Sequence, residues 1–471
     1  MKTKKTAKLV VALAATAALV SACAGDRGGD AVVPGSGDSG GSKSSTSSVE
    51  AFGTLESPCG EGDASGATDQ GVTDTQIKIG YGDDRGYAKI PGLNKEMSDA
   101  VSAMIKWCNE QGGINGRQIV GTNYDAALTQ ANAVMQDACR SEFMMVGHGF
   151  AMDATSEQTR VACNLAAVPG YTVTPDAANG PMSYQGVPFP ADYVNAGAWF
   201  QMAEMHPEYK DGFALINNTM PSITAAHEKV KAMAAAAGFT LKDCGVTINY
   251  EGEASYVPFA EKFKQCDVKG LWTSRSPGPN EFNLLKAIDQ SGIDPIIFTE
   301  ATWYSPTAQE FNKDSGVIDN LNVGMIFQLL ENDSVPAVKQ YKEIVSAENG
   351  KIAMMGMQAT SSFLLWATAA KECGSDLTRQ CMIDELSQIT EWDAGGLHAV
   401  TNPGENMPAQ CSLMVTLKGD KYSQAFPDKA GEFQCSPEYV IKTNPSTWNT
   451  ELNEDRLSTK YLNPNVITPK A

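Results

Sequence analysis

Cysteine is the residue type with the most chemistry to offer in this chain, and its count separates two uses. The sequence carries eleven cysteines and four histidines. Thiolates and imidazoles at close spacing would hold zinc, but no Cys-x-x-Cys pair occurs, and His148, His206, His227 and His398 are scattered. Setting aside Cys23 leaves ten, an even number that in an exported chain points to disulfides. Cys373 and Cys381 close a short loop between two helical patterns, and Cys244 and Cys266 each lie just ahead of a strand pattern. Cys139 with Cys163 and Cys411 with Cys435 are favoured next, which leaves Cys59 for Cys108. His148 stands between Gly147 and Gly149. Flanking glycines mark close backbone approach, whereas a general base needs a nucleophile within hydrogen-bond reach, and the nearest cysteines are committed to disulfides. No catalytic residue, metal or cofactor is expected. Glu300 and Arg275 each lie just beyond an apolar strand pattern, where a charge is solvated in a crevice or bound to a partner. Arg275 could clamp a carboxylate bidentately or pair with Glu300. Tyr171, Trp303, Tyr304 and Tyr256 are placed to stack on a flat or apolar ligand.

The N-terminus sets the compartment. Lys2, Lys4, Lys5 and Lys8 precede an apolar run from Leu9 to Val20 and the small residues Ser21 and Ala22. That is the pattern of a secretory signal peptide, and its run of about twelve residues falls short of the roughly twenty that span a bilayer. Val20-Ser21-Ala22-Cys23 resembles the lipobox of bacterial lipoproteins, which implies cleavage before Cys23 and a lipid on its thiol. Residues 1–22 are therefore expected to be a leader, and residues 23–58, rich in Gly, Ser and Thr, a lipidated flexible tether. The Gly/Ser run lacks the strand and the Gly-Lys-Ser/Thr that a nucleophile elbow or phosphate loop would need. The formal charge of −19 becomes −23 once a leader with four lysines and no acid is removed, which argues against nucleic acid and anionic lipid as partners.

The elements needed to position these residues alternate along the chain. Gln76–Gly80 reads as a strand, and Met97, Val101, Met104, Ile105 and Cys108 fall on one helical face that Gly112-Gly113 stops. Further strands are expected at 119–124, 143–146 and 166–169. A helix at 193–205 opens a second series, with strands at 213–216, 246–248, 270–272 and 296–299 and helices between them. Beyond 322 come a strand, several helices and a hairpin from Cys411 to about Tyr422. Alternation of this kind implies parallel sheets with right-handed crossovers. The expected fold class is α/β, with two doubly wound parallel-sheet lobes joined by a hinge. Lobe one would take residues 72–190 plus about 323–400, lobe two 191–322 plus about 401–440, and 441–471 would form a tail. In such sheets a ligand sits where the strands' carboxyl ends face a crevice. This nominates the loops Gly82–Tyr87, His148–Met152 and Gly170–Thr172 in lobe one, and Asn217–Met220, Tyr250–Tyr256, Ser274–Ser276 and Glu300–Trp303 in lobe two.

Two segments carry a family resemblance. Gly71-Val-Thr-Asp-Thr-Gln-Ile-Lys-Ile-Gly80 and Trp107-Cys-Asn-Glu-Gln-Gly-Gly-Ile-Asn-Gly-Arg-Gln-Ile119 resemble the opening of type I periplasmic solute-binding proteins of the branched-chain amino acid and amide group. The resemblance in element order runs from about residue 72 to 435. It implies an acidic residue for a ligand ammonium after the last lobe-two strand, which falls on Glu300, and a hydroxyl for the ligand carboxylate at Thr172. The group's lobe-one serine falls near Ala151 and its cleft tyrosine near Arg275 or Ser276, departures that turn the expectation away from leucine itself. The resemblance implies an extracytoplasmic lipoprotein that binds a small amino-acid-like, amide or related organic solute and delivers it to the membrane permease of an ABC importer. Two other roles fit a bilobal lipoprotein: a ligand sensor reporting to a membrane receptor, and a secreted hydrolase.

Overall fold

The computed structural model describes residues 50–465. Cys23, the leader and most of the expected tether lie outside the described residues. In the first sheet the strands are β1 (Gln76–Asp83), β2 (Gln118–Asp125), β3 (Met144–Val146) and β4 (Ala167–Val168), all parallel, in the order β2-β1-β3-β4. The helices α1 (Lys95–Glu110), α2 (Ala131–Ser141) and α3 (Ala154–Ala162) connect them. From its fourth residue onward β1 is buried at every position, as a central strand covered on both faces must be. Helix α1 buries Met97, Val101, Met104 and Cys108 on one face, and ends where Gly112 and Gly113 take positive φ of 113° and 79°. A Cβ on Gly113 would lie 2.1 Å from the Arg117 carbonyl oxygen, so only glycine fits this reversal. Asn109 then clamps the start of β2: its Nδ2 donates to the Ile119 carbonyl at 2.9 Å and its Oδ1 accepts the Ile119 N–H at 2.7 Å.

After α4 (Pro175–Ala178), β5 (Tyr193–Asn195) and α5 (Gly197–Met205) the second series begins. It runs β6 (Phe213–Leu215), β7 (Asn217–Asn218), α6 (Pro221–Ala236), β8 (Thr247–Ile248), α7 (Val257–Gln265), β9 (Gly270–Thr273), α8 (Pro279–Gln290), β10 (Ile296–Glu300), α9 (Pro306–Lys313) and β11 (Leu321–Met325). Strands β6, β9, β10 and β11 pair in parallel. The sheet is extended antiparallel by the hairpin β12 (Cys411–Lys418) and β13 (Lys421–Phe426), with β14 (Gln434–Cys435) on β12. Strand β11 thus belongs to the second sheet, although the sequence reading starts the return to lobe one at about residue 323. The return is made by α10 (Pro336–Ala347), α11 (Met354–Cys373) and α12 (Arg379–Leu386): α10 and α11 pack on α1, and α11 also on β3, β4 and α12. The mixed α/β architecture with parallel sheets is the expected fold class.

Three local expectations are corrected. Residues 193–195, read as the start of a helix, form a strand paired antiparallel with β15 (Val440–Lys442). The 246–248 strand leaves the main sheet and pairs with β7 alone. Residues 52–58, assigned to the flexible tether, pack on the body: Phe52 is fully buried edge-on to Trp107, and Gly53 donates to Gln340 at 2.8 Å. All five cysteine pairs join as expected: Cys59–Cys108, Cys139–Cys163, Cys244–Cys266, Cys373–Cys381 and Cys411–Cys435. No helix among the described residues is long and apolar enough to cross a membrane.

Candidate functional site

The carboxyl ends of strands from both sheets converge on one cavity of about 330 Å³. Each loop nominated by the crevice argument places at least one residue on its wall. From the first sheet come Tyr87, Ala151, Tyr171 and Thr172; from the second series come Met220, Tyr250, Ser274, Arg275, Ser276 and Glu300. Lys89 and Glu251 form an ion pair between these two sets of loops.

The first-sheet wall is tied down by its own hydrogen bonds. Asp84, buried at the end of β1, accepts the Ala151 N–H at 2.7 Å and the Leu128 N–H at 2.8 Å. Tyr171 Oη accepts from Asn94 Nδ2 at 2.8 Å, and Thr172 Oγ1 donates to Gln185 Oε1 at 2.7 Å. Thr172 therefore faces the cavity with its hydroxyl proton already given away. Asp153 accepts from Val173 N–H at 2.7 Å and Thr174 Oγ1 at 2.6 Å, and burial nonetheless pushes its carboxyl up to about 7. His148 is buried and does not line this cavity; burial, followed by the charge of Arg160, pushes it down to about 3, so it stays neutral.

The second-series wall is held less completely. Glu300 caps β10 at the cavity, and its carboxylate makes no hydrogen bond or ion pair with the described residues. Burial pushes it up to about 7, against the pull of the Lys229 charge. Lys229 is 1% exposed on α6; its Nζ donates to the Phe189 carbonyl at 2.8 Å and lies 3.8 Å from that ring's centroid. Burial pushes this ammonium down to about 7, opposed first by Asp153 and then by Glu300 and Asp192. Arg275 is paired with Glu281 of α8, Nε to Oε1 at 2.8 Å, and not with Glu300. Its Nη2 donates to the Tyr250 carbonyl at 3.1 Å, while Nη1 has no partner among the described residues. Burial pushes Glu281 up to about 7 despite that pairing, because desolvation outweighs the attraction. Trp303, expected to contact ligand, is fully buried outside the cavity wall. Its Nε1 donates to the Arg275 carbonyl at 2.6 Å and its ring stands edge-on to Phe282, so it braces the arginine loop.

Sequence reasoning missed part of the wall. Gln185, Val187, Pro188 and Phe189 after α4, Met354, Met355 and Gln358 on α11, and the α6 face bearing Ile223, Ala226, Val230 and Met233 all line the cavity. Their apolar spacing is indistinguishable from a core-facing stripe. Two buried polar side chains within α6, His227 and Lys229, interrupt that stripe.

The chain matches the profile of the family described as periplasmic binding protein over residues 76–422. It belongs to that family. Solute binding outside the cytoplasm is the role the family carries. No curated protein sequence gives a significant match. Among solved structures, a fatty acid ABC transporter substrate-binding protein from Thermomonospora curvata aligns with TM-score 0.63 at 15% identity, covering 81% of this chain and 97% of that one. A branched-chain amino acid ABC transporter protein from Thermus thermophilus with bound valine aligns with TM-score 0.61 at 14% identity, covering 78% and 98%. The branched-chain amino acid substrate-binding protein of Streptococcus pneumoniae in complex with isoleucine aligns with TM-score 0.59 at 16% identity, covering 74% and 98%. At these identities the likeness establishes the type I periplasmic binding protein fold.

Proposed function

We infer that this periplasmic binding protein is the lipid-anchored receptor of an ABC importer, capturing one small organic solute between its two lobes and presenting it to the permease. The observation that carries the reading is the cavity at the strand ends, walled by both sheets, in a chain of this family. Residues 72–190 with α10 to α12 act as one lobe, and α5 to β11 with the β12–β13 hairpin as the other. The segments after β4, after β11 and before β12 serve as the hinge. Its action is binding and release without turnover. Glu300 receives a cationic or hydrogen-bond-donating group, Arg275 and Ser276 receive the ligand's oxygen atoms, and Ala151, Tyr171 and Thr172 form the opposing wall. The named relatives bind solutes from valine and isoleucine to fatty acid, so an organic molecule with a polar head and an apolar body fits their range. Cys23 carries the lipid, because the sequence from Lys2 to Cys23 follows export and lipidation logic.

Two measurements test this. Cys23→Ala should release the protein from membranes into the soluble fraction; a variant that remains membrane-bound refutes the anchor. Deleting the gene should abolish uptake of the solute the protein binds, and uptake at the wild-type rate would refute the importer role.

A further inference from the structure

The last part of the chain, expected only to form a tail, is fixed at two places on opposite sides of the cavity. Its first foothold is on the second series. Strand β14 pairs with β12, and Cys435 is bonded to Cys411. Tyr439 stacks on Phe200 of α5 with ring centroids 5.5 Å apart, and its carbonyl accepts the Ala196 N–H at 2.6 Å. Strand β15 then pairs with β5, and the Thr443 N–H donates to the Asp192 carbonyl at 2.8 Å. The second foothold is on the first-sheet side. Arg456 pairs with Asp176 of α4, Nη1 to Oδ2 at 3.2 Å. Thr459–Tyr461 packs on α3, and the Asn463 N–H donates to Asn164 Oδ1 at 3.2 Å, just beyond the end of α3.

Both footholds adjoin the cavity wall. Helix α4 follows the loop that bears Thr172, and β5 ends at Asn195, which lines the cavity and donates through Nδ2 to the Cys411 carbonyl at 3.0 Å. Between the footholds the chain is folded on itself. The Thr450 N–H donates to the Pro445 carbonyl at 3.0 Å, and Arg456 donates through Nε to the Glu451 carbonyl at 3.0 Å and through Nη2 to the Asn449 carbonyl at 3.4 Å. Drawn straight, the stretch from Thr443 to Arg456 would reach about 45 Å, so the restraint lies in these local bonds and not in the contour length. Any motion that parts the footholds must undo them or break a foothold. Arg456 belongs to both, since one guanidinium holds the slack and grips Asp176.

We propose that residues 440–463 are a strap across the hinge, a fourth connection beside the three covalent crossings, which limits how far the lobes part and so slows the release of a captured solute. This rests on the two-lobe reading, in which capture and release turn on the hinge.

The test measures the cleft in the full-length chain, freed of any retained solute by unfolding in urea and refolding with the disulfides intact. Lys89 and Glu251 form an exposed ion pair between the loops of the two walls, so spin labels on Lys89→Cys and Glu251→Cys report the width of the cleft. A site-specific protease sequence inserted after Glu454, in the exposed stretch between the footholds, lets the strap be severed after folding. The uncut chain should show mainly a short label distance, and cutting should shift the population to longer ones. Arg456→Ala without the insertion should shift it in the same direction. If the insertion prevents folding, Arg456→Ala alone decides. Short and long populations that neither cutting nor Arg456→Ala alters would overturn the strap and leave the hinge intact. A single short distance in every sample would overturn both, since the lobes then do not part at all.

Discussion

The two walls of the cavity are built on the same plan and finished differently. On the first-sheet side, Asp84, Tyr171, Thr172 and Asp153 direct their polar atoms into hydrogen bonds with their own loops. On the second side, Glu300 has no hydrogen bond to described residues, Arg275 keeps one nitrogen unpartnered, and Lys229 is buried at a pKa pushed down to about 7. A wall whose hydrogen bonds are satisfied internally contributes shape, whereas one with buried polar groups left over gains most when a ligand supplies the missing partner. On the proposed reading, the first lobe is therefore a preformed surface and the second carries recognition.

The largest expected effect is on the integrity of the second wall. Arg275 and Glu281 are both nearly buried, with side chains 11% and 6% exposed, and removal of one partner strands the other. Glu281→Ala should destabilise the protein by about 3–5 kcal/mol, as for other broken buried pairs, measured by urea denaturation; a loss near zero would show that Arg275 finds another partner.

Next comes recognition. Glu300→Gln should weaken the retained solute's binding by about 2–5 kcal/mol if Glu300 meets a cationic group in the closed cleft. Unchanged affinity in calorimetric titration would mean that the solute's head does not engage Glu300.

The third effect is a pH dependence specific to the same residue. The folded pKa of Glu300 is raised from 4.5 to about 7, so its stabilising contribution is full below the lower value and is lost as pH rises through the upper. Lys229 acts in the opposite sense: lowered from 10.5 to about 7, it contributes above the higher value and loses that contribution as pH falls toward neutrality. Glu300→Gln should therefore be no more stable than wild type near pH 5 but more stable by roughly 1–3 kcal/mol near pH 8. Melting curves at the two pH values decide, and a constant offset would contradict the burial of that carboxylate.

The smallest effect belongs to the first wall. Thr172→Ala should cost the ligand about 0.5–1.5 kcal/mol at most, since a neutral hydroxyl contributes a weak bond and this one is shared with Gln185. A cost exceeding that of Glu300→Gln would invert the comparison between the walls.

How far these features could be read from sequence follows the range of the interactions that make them. Gly112-Gly113 stops α1 through its own backbone, and the alternation of strands and helices is local, so both are visible. Cys373–Cys381 and Cys244–Cys266 were legible because their partners lay beside elements already assigned, and Cys59–Cys108 followed by elimination. Tyr193–Asn195 was not, because its strand character comes from Val440–Lys442, far away along the chain. Phe52 looked like part of a tether because its anchor, Trp107, lies on a helix that had not yet been placed against it. The crevice argument located Glu300 and Arg275, but it could not choose the arginine's partner: Glu281 sits in the first turn of α8, and pairing depends on how that helix packs. Trp303 followed the same strand as Glu300, yet the short turn after β10 carries its ring inward. The α6 part of the cavity wall was hidden altogether, since a helix face lining a cavity and one facing a core share the same apolar period.

The central claim, that the cavity between the two walls holds one organic solute, is tested most directly by mass spectrometry of the protein purified from its own host, under native and then denaturing conditions. The account predicts a native mass exceeding the chain's by one small molecule that denaturation removes and that Glu300→Gln retains less well. A native mass equal to the chain alone, from wild-type protein that also shows no thermal shift with amphiphiles or amino acids, would contradict it.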